Sequence, residues 1–358
     1  MWERQTMSER HNDKELAMTE VVLPGAVEPE GLEVRQTAAP VPAAGQVLLA
    51  MEATGISFAE QQMRRGKYFD QPPYPFVPGY DVVGRVVAVG AGADQGLAGR
   101  RFAALTKTGG WASQVVVEAA DLVEVPESVA STDAETLVVN GITAWQMLHR
   151  IAKAERGQTI LVLGANGGVG TTLVQLARQA GVRVIGTASP RHHDALRALG
   201  VAPVDYRDPQ LTTRLRALAP NGVDAVFDHV GGDGIVDSFH MLAPGGTLVS
   251  YGTASTRDVT GSSKAPVLKL LARLAYWNLL PNSRHAHFFN IWAGKKKADV
   301  FRARLREDLS QVFALLADGA IEAQIADRIP LSRVADAMRL AESGTVAGKV
   351  VLVPDAAA

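Results

Sequence analysis

The sequence predicts an α/β chain of two domains, a β-barrel-like domain followed by a doubly wound parallel sheet. Three observations carry this. Short β-forming runs fenced by glycine and proline fill residues 19–117. From Ile160 onward, apolar strand-like runs alternate with segments of helical periodicity. Between them lies the turn Gly164-Ala165-Asn166-Gly167-Gly168-Val169-Gly170. It joins the run Ile160–Leu163 to the helical pattern Val169, Leu173, Leu176, Ala177, Ala180, which stops at Gly181.

With 358 residues there is room for two domains and a large core. The chain is 47% hydrophobic and 20% charged, a globular composition. A net charge of −1 gives no electrostatic reason to expect nucleic acid or an anionic membrane as partner. No apolar run reaches the length of a membrane span, so stable membrane insertion is not expected. Residues 1–17 are polar and charged, without the apolar core of a signal peptide, and read as a disordered leader. The absence of cysteine excludes disulfides, thiolate catalysis and cysteine-ligated zinc together. A cytoplasmic location follows as the expectation. The expected domains are 18–130, completed by 317–358, and 131–316.

In the first domain, Thr19–Leu23, Leu32–Gln36 and Gln46–Ala53 read as strands, followed by a short helix after Ser57. A loop with Pro72, Pro73, Pro75 and Pro78 precedes the strand Tyr80–Val89, in which Gly84 marks a bend or bulge. Two further strands are Phe102–Leu105 and Ala112–Val117. Near Ser131 the texture turns helical. In the second domain strands are expected at 160–163, 182–188, 204–206, 223–228 and 246–252, with helices between them. Ala265–Leu280 is an apolar helix candidate that could lid a pocket, form a dimer surface, touch a membrane or sit in the core.

Ala165-x-Gly167-x-x-Gly170 is the dinucleotide fingerprint with alanine in the first glycine position. Gly167 lets backbone approach a pyrophosphate, Gly170 lets the helix pack closely, and free amides at the helix start hold phosphate. The backbone cradle is therefore assigned to Ala165, Asn166, Gly167, Gly168, Val169 and Gly170. NAD-specific versions place Asp or Glu at the end of the second strand. Here Thr187-Ala188-Ser189-Pro190-Arg191-His192-His193 offers no carboxylate before Asp194. Hydroxyl, arginine and histidine suit a 2′-phosphate, so NADPH is the expected cofactor, held by Ser189, Arg191, His193 and Tyr206. The alternative for Arg191-His192-His193 is a solvated helix start.

With these residues in hand, the chain resembles the medium-chain dehydrogenase/reductase superfamily. It is most similar to the zinc-free quinone oxidoreductase branch, with zeta-crystallin and the vesicle amine transport relatives. The resemblance rests on Gly55–Glu60, Phe76–Gly84, Asn140–Ala144, Gly164–Gly170, Phe227–Gly232 and Gly348–Leu352, in this order and spacing. It implies a GroES-like β-barrel domain plus a Rossmann domain, a cleft for nicotinamide and substrate, and a homodimer. Zinc alcohol dehydrogenases of the superfamily have cysteine where this chain has Ser57, and a histidine-glutamate pair at Tyr80-Asp81. No metal site is therefore expected, and Asp81 with a histidine is the residual alternative.

The resemblance also implies further cofactor contacts. Asn140 and Thr143 fall near the nicotinamide ribose and carboxamide, Val230, Tyr251 and Gly252 at strand ends, Phe289 at the nicotinamide end, and Lys349 in the C-terminal match. Ser57, Gln62, Tyr68, Tyr80 and Phe288 fall in the acceptor pocket. Relatives have asparagine at Ser57 and tyrosine at Gln62, so the acceptor preference is open. Tyr68 and Tyr80 are candidate proton donors, or packing residues with one hydrogen bond. Phe288 and Phe289 are equally readable as core aromatics.

Without a metal, hydride transfer to a quinone or an α,β-unsaturated carbonyl fits better than alcohol oxidation, and no residue is indispensable. Two alternatives stand beside this. One is an enoyl reductase acting on thioesters, with Arg64, Arg65 and Lys67 at a basic mouth. The other is a catalytically weak, NADPH-binding transport or regulatory protein.

Overall fold

The computed structural model describes residues 17–256 and 264–356. The expected leader lies outside the described residues except for its last position, Ala17. Two compact units emerge. The first holds the described residues up to Gly66, Gln71–Val138 and those from Ile325 onward; the second holds Lys67–Asp70 and Val139–Gln324.

The first unit begins with the antiparallel pair β1 (Ala17–Val22) and β2 (Glu33–Ala38). The long strand β3 (Gln46–Ile56) leads into helix α1 (Phe58–Arg64). Strands β4 (Asp81–Val89), β5 (Arg101–Leu105), β6 (Gln114–Glu118) and β7 (Val123–Glu124) follow, and then helix α2 (Ser131–Trp145). The division between units falls inside this helix.

The second unit continues with β8 (Thr159–Leu163), α3 (Gly168–Gln179), β9 (Arg183–Ala188), α4 (His193–Ala198) and β10 (Ala202–Asp205). Then come α5 (Leu211–Leu218), β11 (Val223–Asp228), α6 (Ile235–His240) and β12 (Leu242–Ser250). It ends with α7 (Lys264–Leu279), β13 (His285–Phe288) and α8 (Ala298–Ala317). Chain and first unit close with β14 (Ile325–Pro330), α9 (Val334–Glu342) and β15 (Lys349–Val353).

In the first unit the sheet order is β14-β15-β3-β4-β5-β7, with β6 on β3, and all pairings but β14–β15 are antiparallel. Gly84 of β4 pairs with Met51 of β3. A Cβ there would stand 2.2 Å from the Ala50 carbonyl oxygen, so the bend needs glycine. Buried Trp111 donates its indole N–H to the Gly55 carbonyl at 2.9 Å.

The second unit is an all-parallel sheet of order β10-β9-β8-β11-β12-β13. Ile160, Leu161 and Val162 of β8 are fully buried, as an interior strand covered on both faces requires. Strand order reverses between β8 and β11, and the crevice outside their carboxyl ends is where such sheets take ligands. Helix α7 buries Val267, Leu270, Leu274 and Trp277 in this unit, and Trp277 stacks on Phe239 at 4.2 Å between centroids. Its other side leaves Leu268, Tyr276 and Leu279 exposed. Among the described residues no helix is long and apolar enough to cross a membrane.

Candidate functional site

The glycine turn is built by two strands. Gly164 N–H donates to the Thr187 hydroxyl at 3.1 Å, and Ala165 N–H to the Thr187 carbonyl at 3.0 Å. Ala165 fills a glycine position because β9 offers Gly186 opposite; a Cβ on Gly186 would stand 2.7 Å from that of Ala165. Gly170 sits under the turn, where a Cβ would come within 2.2 Å of the Gly164 carbonyl oxygen. Gly167 differs in kind. It is exposed, and a Cβ there would meet only the Gly164 oxygen, at 3.5 Å. It is the N-cap of α3 and supplies no capping side chain. The first-turn amides of Gly168, Val169 and Gly170 therefore lack an intrahelical acceptor and a capping side chain at the positive end of a helix dipole. Asn140 closes one side: a Cβ on Gly168 would lie 2.6 Å from Asn140 Nδ2. Asn140 and Thr143 are both buried in this unit's part of α2.

At the next strand ends the register sets Asp205 of β10 beside Ala188 of β9, so Ser189 and Tyr206 emerge side by side. Their hydroxyls interact, and Arg207 donates to Tyr206 Oη at 3.1 Å while stacking over its ring. The Ser189 and Arg207 hydrogen bonds hold the Tyr206 phenol below its usual range. Arg191 is exposed and donates to His192 Nε2 at 3.2 Å. His193 is tied through Nε2 to the Ala188 carbonyl, 3.1 Å away. No carboxylate side chain follows Thr187 before Asp194, whose carboxylate pairs with Arg197.

Across the crevice, Asp228 ends β11 and is buried. It accepts the Val230 and Gly231 amides at 2.8 Å each and the Ser238 hydroxyl at 2.7 Å. This fixes the loop that carries Val230. Tyr251 N–H donates to the Asp228 carbonyl at 2.9 Å, and burial with the nearby Asp228 carboxylate pushes the Tyr251 phenol well up. Gly252 packs against this loop, where a Cβ would stand 2.7 Å from the His229 carbonyl oxygen. At the end of β13 Phe288 is exposed, and Phe289, just past the strand, is buried and donates its N–H to the Ser250 carbonyl. Ser250 Oγ is buried and has no hydrogen-bond partner among the described residues. Two groups on this rim escaped the sequence reading as individual site residues: the orphan Ser250 hydroxyl and His229. A histidine directly after the last strand residue was the available signal for the second.

In the first unit, Ser57 caps α1. Its hydroxyl accepts the Ala59 amide at 3.1 Å and contacts the Glu60 carboxylate, which also accepts Ser57 N–H at 2.9 Å. The same carboxylate accepts the Tyr80 amide at 2.7 Å, so one buried acid ties Ser57 to Tyr80. Burial and the neighbouring Asp81 raise the Glu60 carboxyl above its usual range. Gln62 is buried and its Nε2 has no hydrogen-bond partner among the described residues. Tyr68 lies on Lys67–Asp70, which packs with the second unit.

Lys349, grouped above with the cofactor residues, sits in a sealed ion cluster. Its ammonium binds both Asp81 oxygens, at 2.9 and 3.1 Å, and Glu135 Oε1 at 2.5 Å. All three side chains are buried. Gly55 is the cluster's floor: a Cβ would lie 2.5 Å from Glu135 Oε1 and from Lys349 Cε. This arrangement does not fit a zinc site. Asp81 is taken by an ammonium, Ser57 is spent on a helix cap, and Tyr80 stands for histidine. Among the described residues no group of three histidine, cysteine, aspartate or glutamate side chains is placed to hold a metal ion. The basic mouth is not formed by Arg64 and Arg65, since both donate to Glu342 and Arg64 is buried.

A barrel-like unit and a separate parallel-sheet unit with this switch point define a fold of the two-domain dehydrogenase/reductase class. Comparisons agree. Residues 43–127 match the alcohol dehydrogenase GroES-like domain family, and residues 196–352 the zinc-binding dehydrogenase family. The human synaptic vesicle membrane protein VAT-1 homolog is 34% identical over 333 residues, covering 90% of this chain and 82% of that protein. The structure of Escherichia coli quinone oxidoreductase complexed with NADPH superposes with a TM-score of 0.82 at 25% identity, covering 94% of this chain and 100% of that one. A Mycobacterium tuberculosis mycocerosic acid synthase-like polyketide synthase is 29% identical over 88% of this chain, which spans 14% of that protein. The chain belongs to the medium-chain dehydrogenase/reductase superfamily, in the branch of zinc-free quinone oxidoreductases and VAT-1 homologues.

Proposed function

We propose that this protein is an NADPH-dependent reductase that passes hydride to a quinone or to an α,β-unsaturated carbonyl. The observation that carries the cofactor choice is the strand-end rim of the second unit. An uncapped glycine turn adjoins a β9 end with no free carboxylate, where the Ser189 and Tyr206 hydroxyls meet and Arg191 follows exposed two residues after Ser189. The first-turn amides of α3 hold the diphosphate. Ser189, Arg191 and Tyr206 take the 2′-phosphate and Arg207 braces Tyr206, while His193, whose Nε2 is spent on the Ala188 carbonyl, holds the β9 end rather than the phosphate. Asn140, Thr143, Val230, Tyr251, Gly252 and Phe289 border the nicotinamide end. NADPH supplies the hydride.

The reductase half of the reading is supported by the likeness to the E. coli quinone oxidoreductase. A quinone or enone needs no metal to accept hydride, which suits residues that offer no zinc ligand set. The acceptor is assigned to Ser57, Gln62, Tyr68, Tyr80 and Phe288. Tyr68 and Tyr80 are the phenols proposed to aid charge developing on its oxygen. The reading includes a cytoplasmic homodimer, as the resemblance implies.

The test is NADPH oxidation by purified protein, with a small quinone and a conjugated enone side by side. Turnover with either is expected, and their ratio identifies the better acceptor. Binding of NADPH without turnover on either would favour the binding-protein reading, in line with the VAT-1 likeness.

A further inference from the structure

His229 stands at the carboxyl end of β11, across the switch-point crevice from Gly164 at the end of β8. Its imidazole lies against the glycine turn. A Cβ on Gly164 would be 2.4 Å from His229 Cε1 and 3.1 Å from Nε2, and Gly164 has φ +67°. The ring is half-buried and held in one orientation, because Nδ1 is 3.0 Å from the Leu163 carbonyl oxygen. A carbonyl only accepts, so Nδ1 carries the proton. In the neutral ring Nε2 is then a lone-pair acceptor, and it has no partner among the described residues. Burial pulls the imidazole below its usual range, against the pull of the Asp228 carboxylate and the Leu163 carbonyl, which favours this neutral form. Tyr251, the other titratable group against the ring at 5.9 Å between centroids, is held neutral.

A lone-pair acceptor needs a donor. The phosphates of a dinucleotide donate nothing, whereas its ribose hydroxyls do. Position selects which ribose. The 2′-phosphate pocket assigned above lies at the ends of β9 and β10, and the diphosphate cradle at the end of β8. The part of the cofactor that passes over β11 is the nicotinamide riboside. We propose that His229 is a cofactor-binding residue for the nicotinamide half, its Nε2 accepting a hydrogen bond from a hydroxyl of the nicotinamide ribose. This rests on the NADPH reading.

The test is equilibrium binding of NADPH and of 2′,5′-ADP, which lacks the nicotinamide riboside, to three proteins: parent, His229→Asn and His229→Gln. The asparagine amide keeps a donor near the Nδ1 position for the Leu163 carbonyl and removes Nε2. The glutamine amide reaches the Nε2 position. Expected are a roughly 3–10-fold weaker NADPH affinity in His229→Asn, partial recovery in His229→Gln, and 2′,5′-ADP affinity within about twofold of parent in both, as a bond confined to the nicotinamide half requires. Unchanged NADPH affinity in His229→Asn would overturn the proposal. So would equal weakening of both ligands, because it would place the histidine's role in shaping the turn. A parent that binds neither ligand would overturn the NADPH reading itself, and this inference with it.

Discussion

The Lys349 cluster of the first unit and the strand-end rim of the second are both dense in polar groups, yet they are built on opposite principles. In the cluster, the ammonium is answered from within: it is divided between Asp81 and Glu135 and shut away from water, and Glu135 Oε2 is buried without a hydrogen-bond partner among the described residues. Such an arrangement costs solvation and specifies packing, but it offers nothing to a ligand. On the rim, helix amides stand uncapped, Arg191 and Tyr206 reach solvent, and His229 Nε2 has no partner among the described residues. Unmet hydrogen-bonding capacity open to solvent at a switch point marks a binding surface, whereas an ion pair sealed in a core marks architecture.

The sharpest way to separate the two is to perturb one glycine of the turn at a time. Gly167→Val places its side chain in the space over the α3 amides and meets almost no protein atoms. It should weaken NADPH binding more than about 100-fold, since it blocks the phosphate cradle, with thermal unfolding little changed. Gly170→Val, three residues on, drives a Cβ into the Gly164 carbonyl and should instead lower the melting temperature. If Gly167→Val retained binding, the diphosphate would lie elsewhere.

Next in size is Lys349→Met. It leaves Asp81 and Glu135 buried without a cation and should cost about 3–5 kcal/mol in stability, the range for breaking a buried pair. Denaturant unfolding would measure it. A variant as stable as the parent would mean that the cluster is open to water.

Arg191→Ala and Tyr206→Ala should each narrow the preference for NADPH over NADH by about tenfold, as loss of one charge-assisted contact implies, and leave NADH affinity unchanged. Loss of both affinities together would mean that these residues support the fold.

The smallest effect concerns pH. Burial, outweighing the Lys349 ammonium, holds the Glu135 carboxyl well above its usual range. The folded state therefore keeps a proton that the unfolded chain releases as pH rises past the ordinary carboxylate value of 4.5. Stability from this group is full below that value and is lost as pH rises toward the folded-state value. Glu135→Gln should flatten that decline in a series of unfolding curves from acid to neutral pH. An undiminished slope would assign it to another group, with Glu60 the next candidate because its carboxyl is raised in the same direction.

The two regions were also unequally legible. The rim is local in sequence: strand, glycines and helix fall within Ile160 to Gly181, and a carboxylate-free β9 end can be read directly. Even the alanine in the fingerprint has its explanation in one neighbouring strand, at Gly186. The cluster joins residues 268 and 214 positions apart, so no window of sequence contains it. Lys349 was visible only as part of a strand match, and its partner Asp81 only as a departure from a zinc ligand pair. Ser57 likewise reads as a pocket hydroxyl, while its capping-box tie to Glu60, and through Glu60 to Tyr80, needed the fold. The tautomer of His229 depends on a carbonyl 66 residues away, beyond the reach of a motif.

The contrast between a sealed cluster and an open rim is tested most directly by calorimetric titration of the parent protein with NADPH and with NADH in the same buffer. The rim as described predicts saturable binding of one NADPH per chain, at least about tenfold tighter than NADH, as a charged contact to the 2′-phosphate requires. Equal affinities would contradict the phosphate pocket at Ser189, Arg191 and Tyr206, and no binding of either would contradict the rim as a dinucleotide surface.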